Sequence, residues 1–393
     1  MRYDFDTPVV RRGTGCYKWD EETADGIIPM WVADMDFRTA PAIIEALQRR
    51  VKHGVFGYTL VPESYYKAVI AWFDRRHQWT IDRSWIQYTS GVVPALSVIV
   101  KAFTEPGDKV ILQMPVYNCF FSSVRNNGCE VLENRLAYVD NRYEMDFDDL
   151  EQKASDPRAR LLILCNPHNP TGRVWTREEL ARVYNICKQH GVKVVSDEIH
   201  NELTFRGRRY VPYGTVCQMD NAIICTSPSK SFNTAGLQIA NIICADADWR
   251  ARIDRAININ EVCDVNPFGV AALQAAYNES EDWLDALCEY IYQNYETLCK
   301  FFATELPQLT VTPLEGTYLV WVNITALNIT SDELTERLLK EGKVQVNSGT
   351  MYGGPSPSGK DNVGEGFIRL NIACPRAQMM EGLRRIQRVV SSL

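Results

Sequence analysis

The sequence predicts an α/β protein: one large domain on a mostly parallel sheet, joined to a small α+β domain assembled from both termini. Three observations carry this expectation. Between residues 85 and 245 short apolar runs recur: KVILQ (109–113), RLLILC (160–165), VKVVS (192–196), NAIICT (221–226) and ANIIC (240–244). They are β-branched and apolar on both alternations, which suits strands covered on both faces of a sheet. Amphipathic segments separate the runs. In TREELARVYNICKQHG, Thr176 is placed as N-cap, Glu179 at the capping-box position and Gly191 as stop. Strand and helix alternating in this way imply parallel pairing.

The tail changes character. Residues 282–305 (DWLDALCEYIYQNYETLCKFFATE) read as one long helix, followed by a strand (GTYLVWVNI), a helix (SDELTERLLKEG) and a further strand (GFIRLNIACP). Near the other terminus IIPMWVADMDF reads as a Pro-bounded apolar strand that joins the small unit. The expected division is 1–45 with the small domain, 46–281 as the large domain and 282–393 as the small C-terminal domain. The only loose stretch is GGPSPSGKDNVGEG at 353–366.

Composition excludes several classes. The 393 residues are 46% apolar and 23% charged, ordinary for a globular chain with ample length for a large core. A net charge of −7 argues against nucleic acid as the main partner, because phosphate binding needs basic surface. The longest apolar stretch, around 91–100, is broken by Pro94 and too short to cross a bilayer. MRYDFDTPVVRR lacks an apolar leader core, so no signal peptide is expected. The twelve cysteines form no C-x-x-C pair, and several lie inside apolar runs. They read as buried free thiols of a reducing cytoplasm. The five histidines have no ligand spacing, so no metal is assigned.

Chemistry concentrates at three strand ends. RLLILC runs into NPHNPTG (166–172), VKVVS into DEIH (197–200) and NAIICT into SPSKSFN (227–233). In parallel sheets ligands bind beyond the carboxyl ends of strands, so an amide, a carboxylate and a lysine would share one edge. Lys230 in a desolvated site would be a nucleophile or Schiff-base former, although on local sequence alone a solvated loop lysine is commoner. Asp197 emerges from a valine run and needs a cationic or N–H partner; a helix N-cap explains it equally well locally. Asn169 also fits a plain Pro-Gly turn. His168 and His200 read as hydrogen-bonded structural histidines. In GFIRLNIACP, Arg369 shares a face with Phe367 and Asn371, where a guanidinium could clamp a carboxylate or form an ordinary ion pair.

NPHNPTG, SDEIH, SPSKSFN and RLNIACP in this order resemble fold-type I pyridoxal-phosphate enzymes, the aspartate aminotransferase superfamily. DFDTPVVRRGTGCYKWD, WVADMDF, FGYT, SGVVPAL, PVY and NPHNPTGRVW are closer to the cystathionine β-lyase and cystalysin-type C–S lyases. The resemblance spans nearly the whole chain. It implies the PLP-dependent transferase fold with a seven-stranded sheet and a PLP cofactor. The implied reaction is β-elimination from cystathionine, cysteine or related S-substituted cysteines to thiol, pyruvate and ammonia. A class I/II aminotransferase is the alternative, and a PLP-binding regulatory partner protein a more distant one.

Residue by residue, the resemblance makes Lys230 the Schiff-base lysine and the base at Cα. Asp197 pairs with the ring nitrogen, Asn169 bonds the ring oxygen and Tyr117 stacks on the ring. Backbone N–H groups of Gly91, Val92 and Val93, with the hydroxyls of Ser227 and Ser229, hold the phosphate. Tyr58 reaches the phosphate of a neighbouring subunit, implying a homodimer, and Tyr58 or Tyr117 protonates the departing sulfur. Arg369 takes the substrate carboxylate with backbone help from Val32 and Ala33, and Asn169 also faces the substrate. His200 stands where aminotransferases commonly carry a ring-oxygen-bonding tyrosine. Two positions depart from the pattern: Gln238 replaces an arginine that contacts phosphate in many members, and Asn118 replaces a second tyrosine.

Overall fold

The computed structural model describes residues 3–22, 24–259, 261, 263–354 and 361–393. Part of the loose 353–366 stretch, residues 355–360, lies outside them. Seven strands form the central sheet: β1 (Ile86–Thr89), β2 (Lys109–Met114), β3 (Glu130–Arg135), β4 (Ala159–Cys165), β5 (Lys193–Asp197), β6 (Ala222–Thr226) and β7 (Ala240–Ile243). Their spatial order is β1-β7-β6-β5-β4-β2-β3. Strands β3, β2, β4, β5 and β6 run parallel. β7 is antiparallel to both its neighbours, so ANIIC is the buried strand expected of it but reverses direction. The reason is its connection. A parallel return needs a crossover, usually a helix, whereas residues 227–239 fold as the polar site loop and one 3₁₀ turn, Ala235–Leu237.

The runs alternate faces residue by residue. Val110, Leu112, Leu161, Ile163, Val195 and Ile223 enter one core with helices α3 (Val92–Phe103), α4 (Asn118–Arg125) and α6 (Ala247–Ile259). Ile111, Leu162, Leu164, Val194 and Ile224 enter the other, with α2 (Glu63–His77), α5 (Arg177–Gln189), α7 (Pro267–Glu279) and α8 (Glu281–Glu305). Both faces being dry explains why these strands lack a polar alternation. α5 starts on the capping box read from sequence: Glu179 N–H donates to Thr176 Oγ1 at 3.2 Å, and Thr176 N–H donates to Glu179 Oε2 at 2.8 Å. Helix α1 (Pro41–His53) packs on α7.

Beyond α8 lies a four-stranded antiparallel sheet of β8 (Thr310–Val311), β9 (Leu319–Asn323), β10 (Asn347–Ser348) and β11 (Phe367–Asn371), ordered β8-β9-β11-β10. Helices α9 (Ser331–Lys340) and α10 (Arg376–Val390) accompany it. The N-terminal segment meets this part of the chain through Ile28–Pro29, which pairs in parallel with Val344–Gln345. The strand expected over IIPMWVADMDF is only those two residues long. Past Met30 the segment leaves the ladder, and Asn371 Nδ2 donates to both Val32 O (2.5 Å) and Asp34 O (2.6 Å). Side-chain donors there do the work of a partner strand. No described helix is long and apolar enough to cross a membrane.

Candidate active site

Cys165, Asp197 and Cys225 stand in register across β4, β5 and β6, so the three polar loops leave the sheet side by side. NPHNPTG folds back on itself, with His168 N–H to Arg173 O at 2.8 Å and Gly172 N–H to His168 O at 2.9 Å. Gly172 has φ +73, and a Cβ there would come 2.9 Å from Leu314 Cδ1, so this turn requires glycine. His168 is buried and meets Thr171 Oγ1 at 2.9 Å, as expected of a structural histidine. Burial pushes its pKa down to about 3.

Together these loops, the first turn of α3 and the 31–34 segment enclose a cavity of about 190 Å³. Eleven expected site residues line it: Ala33, Gly91, Val92, Val93, Tyr117, Asn169, Asp197, His200, Ser227, Ser229 and Lys230. Lys230 Nζ donates to Ala33 O at 2.7 Å. Burial lowers its pKa, with Asp34 opposing and Arg369 reinforcing the shift. Asp197 is 3% exposed, and its Oδ1 accepts the Ile199 N–H at 3.1 Å. Burial pushes this carboxyl up to about 7, against that N–H and Lys230. No cation among the described residues lies within ion-pair distance of it. His200 is also buried, with Nδ1 lacking a hydrogen-bond partner among the described residues. Burial, with Lys230 and Arg369 nearby, holds the ring well below its usual pKa and hence neutral.

Gly91 caps α3, whose first turn leaves backbone N–H groups without intrahelical acceptors at the cavity. Ser227 donates to Ile239 O at 2.7 Å and accepts the Ser229 N–H at 3.1 Å, so its hydroxyl serves the loop. Gln238 lines the cavity from a left-handed backbone position with φ 50. Tyr117 caps α4 and is pushed up in pKa by burial. Tyr58 stands apart from the cavity of its own chain, 98% exposed.

Arg369 reaches the site from β11, on the face shared with Asn371 as the strand period requires. Its Nη1 donates to Asn169 Oδ1 at 3.1 Å and its Nη2 to Trp31 O at 2.7 Å; Nε has no partner among the described residues. The guanidinium is 3% exposed, lies 4.8 Å over the Tyr352 ring and pairs with no carboxylate among the described residues. An ordinary surface ion pair is therefore not its role. The carbonyls of Val32 and Ala33 are already taken by Asn371 and by Lys230 with Tyr318 (Tyr318 Oη to Ala33 O, 2.8 Å).

The sequence reading missed the residues that hold the 31–37 segment in place. Asn233, at φ 54, accepts the Met35 N–H at 3.0 Å and donates to Met35 O and Phe37 O at 2.9 Å. Asp36, 1% exposed, takes Lys18 at 3.0 Å, Arg11 at 2.7 Å and Trp19 Nε1 at 2.8 Å. The signal was present in RRGTGCYKWD and WVADMDF, two charged clusters flanking one apolar run, but their pairing is not a local pattern.

Glu198, next to Asp197, was missed as well. Its fully buried carboxylate accepts from Ser196 Oγ (2.9 Å), Tyr213 N–H (2.9 Å), Asn166 Nδ2 (3.3 Å) and the Tyr210 hydroxyl. Burial nevertheless pushes it up to about 7 from 4.5. The folded chain thus keeps this proton to higher pH than the unfolded one. Its contribution to stability is complete below about pH 4.5 and declines until about pH 7. Glu198→Gln is expected to abolish a decline of about 3 kcal/mol. The gap between urea unfolding midpoints at pH 5 and pH 8 should therefore narrow in the variant by the Glu198 share, while Asp197, also pushed up to about 7, keeps its own share; an unchanged wild-type pH dependence would refute the assignment.

Residues 26–386 match the family Aminotransferase class I and II. "Cystathionine beta-lyase PatB" of Bacillus subtilis (strain 168) is 43% identical over 394 residues, covering 99% of this chain and all of that one. "Protein MalY" of Escherichia coli (strain K12) is 34% identical, covering 97% of each. Among solved structures, cystalysin from Treponema denticola, described as containing a pyridoxal 5'-phosphate cofactor, superposes with a TM-score of 0.95. It is 34% identical and covers all of both chains. With its sheet order, its strand-end cavity and this match over most of its length, the chain belongs to the class I and II aminotransferase family.

Proposed function

We propose that this chain is a pyridoxal-phosphate-dependent C–S β-lyase acting on cystathionine, cysteine or related S-substituted L-cysteines. The observation that carries the reading is the convergence of Lys230 and Asp197 on one cavity, with Arg369 tied to its wall through Asn169, in a chain 43% identical over 99% of its length to a cystathionine β-lyase. The residues fit the cofactor. Among the described residues Asp197 is a buried acid with no cation against it, which a protonated ring nitrogen would supply, and His200 Nδ1 is an orphaned polar atom on the cavity wall. The free N–H groups of Gly91, Val92 and Val93 suit a phosphate. Asn169 would hold the ring oxygen, Tyr117 would stack on the ring and Ser229 would bond the phosphate, with Ser227 shaping the loop. We further read the chain as a homodimer in which Tyr58 completes the second copy's site. The proposed domains are 1–45 with 282–393, and 46–281. A reducing cytoplasm suits the twelve free thiols.

When bound, the cofactor supplies an electron-withdrawing ring for the electron pair left at the substrate Cα. Asp197 keeps the ring nitrogen protonated and so sustains that withdrawal. Arg369 presents Nε and its Nη groups to the substrate carboxylate, which fixes the Cα–H bond toward Lys230. With its pKa lowered by burial, Lys230 has a free amine to take the Cα proton. The Cβ–S bond then breaks, and Tyr117, held protonated by burial, or Tyr58 of a second copy gives the leaving thiolate its proton. Water converts the remaining three-carbon unit to pyruvate and ammonia.

The test is release of thiol and pyruvate from L-cystathionine and L-cysteine without any 2-oxo acid. Equal amounts of both products support the reading. Turnover that requires a 2-oxo acid and accumulates pyridoxamine phosphate would establish an aminotransferase instead. Arg369→Lys should lower kcat/KM about a hundredfold, mainly through KM, because a bidentate charged clamp is lost. Steady-state kinetics with the carboxamide analogue check this: the variant should discriminate less between acid and amide.

A further inference from the structure

A second cleft, of about 500 Å³, lies behind the turn that carries Asp197 and His200. Its walls come from the end of α2, the start of α5 and residues 201–212, and none of its lining residues belongs to the cavity described above. Four arginines line it, Arg75, Arg76, Arg177 and Arg209, against two carboxylates, Glu202 and Glu281. Those carboxylates are already engaged. Glu202, 5% exposed, takes Arg76 Nε at 3.0 Å, His77 Nε2 at 2.7 Å and Trp72 Nε1 at 2.7 Å. Glu281 takes Arg75 at 2.8 Å and Arg76 at 2.9 Å.

The other two arginines have no acid among the described residues. Arg177 touches only the neutral oxygens of Thr215, at 3.4 and 3.2 Å, and Arg209 has no hydrogen-bond or ion-pair partner among the described residues. Asn201, on the wall and 3% exposed, also has a buried Nδ2 without an acceptor among the described residues. In a chain of net charge −7 such a local excess of unpaired positive charge in a concave, polar site is uncommon, and it raises anion concentration locally. The planar guanidinium fork matches phosphate oxygens two at a time.

We propose that this cleft is a binding site for a phosphate-class anion, held chiefly by Arg177 and Arg209 and separate from the site at the strand ends. Free phosphate and a phosphate ester of a small metabolite share this chemistry. The proposal does not depend on which reaction the enzyme performs.

The test is calorimetric titration of the cofactor-loaded protein, whose own phosphate site is filled, with inorganic phosphate, pyrophosphate and glycerol phosphate. Ionic strength is held constant with chloride, because exposed charges are screened within about 8 Å at physiological salt. Saturable binding at one site per chain is expected. It should weaken about tenfold in Arg209→Ala and further in the Arg177→Ala/Arg209→Ala double variant. Preference for glycerol phosphate over inorganic phosphate would point to an ester as the natural ligand, and the reverse to free phosphate. Both side chains are exposed, so the variants should keep the wild-type melting temperature and lyase turnover. Binding no stronger than that of chloride, or unchanged affinity in Arg209→Glu, would overturn the proposal.

Discussion

Lys230→Ala should lose about 10⁴-fold in kcat for thiol release, since one substitution removes both the nucleophilic amine and the base at Cα. The effect should be chemical rather than structural. Lys230 is half-buried, and its side chain's hydrogen bond among the described residues runs to Ala33 O, a carbonyl that Tyr318 also serves. The melting temperature should therefore move little, and a small primary amine added to the assay should restore part of the activity. The absorbance of cofactor bound through the lysine should vanish from the variant at the same time. Residual activity within tenfold of wild type, or no change in that absorbance, would remove Lys230 from the role proposed for it.

Asp197→Asn is the second large effect. Asparagine keeps the shape but cannot carry the charge that a protonated ring nitrogen needs, and loss of one preorganised electrostatic partner costs about 10²–10³-fold in rate. Cofactor retention should fall as well, measurable by dialysis against cofactor-free buffer. In the chain itself the Asp197 carboxyl sits near 7 because nothing but the Ile199 N–H and the Lys230 field opposes its burial. A bound cofactor's protonated ring nitrogen would stand against it as that missing cation and would hold the Asp197 carboxyl ionised. The carboxylate then persists to lower pH, so activity through this group should be lost only as pH falls well below 7. Asp197→Asn should erase that acidic limb of the kcat profile; a wild-type limb in the variant would assign it elsewhere.

Other side chains define these effects by their positions. Beyond the ring contact expected of Asn169, its Oδ1 accepts from Arg369, which couples the NPHNPTG loop to β11 across 200 residues of chain. Arg369 could be placed on a strand face from GFIRLNIACP, but its lack of a carboxylate partner depends on what the fold leaves nearby. Ser227 carries a further role beside the contact its motif implies: its hydroxyl reaches Ile239 O and Ser229 Oγ and accepts the Ser229 N–H, which shapes the loop that presents Ser229 and Lys230.

By itself the sequence determined the dry parallel strands, the capped α5, the long α8 and the three polar clusters at consecutive strand ends. Each of these is set by periodicity, capping or turn chemistry within about twenty residues, where local physics dominates. Tertiary structure alone decided the direction of β7, the shortness of the Ile28–Pro29 strand and the clasp of Asn233, Asn371 and Asp36 around residues 31–37. It also set the environments of Asp197, Glu198 and Lys230. A pKa depends on which atoms exclude water around a group, and a strand's direction on what its connection must hold, and both arise from contacts between residues far apart in the chain.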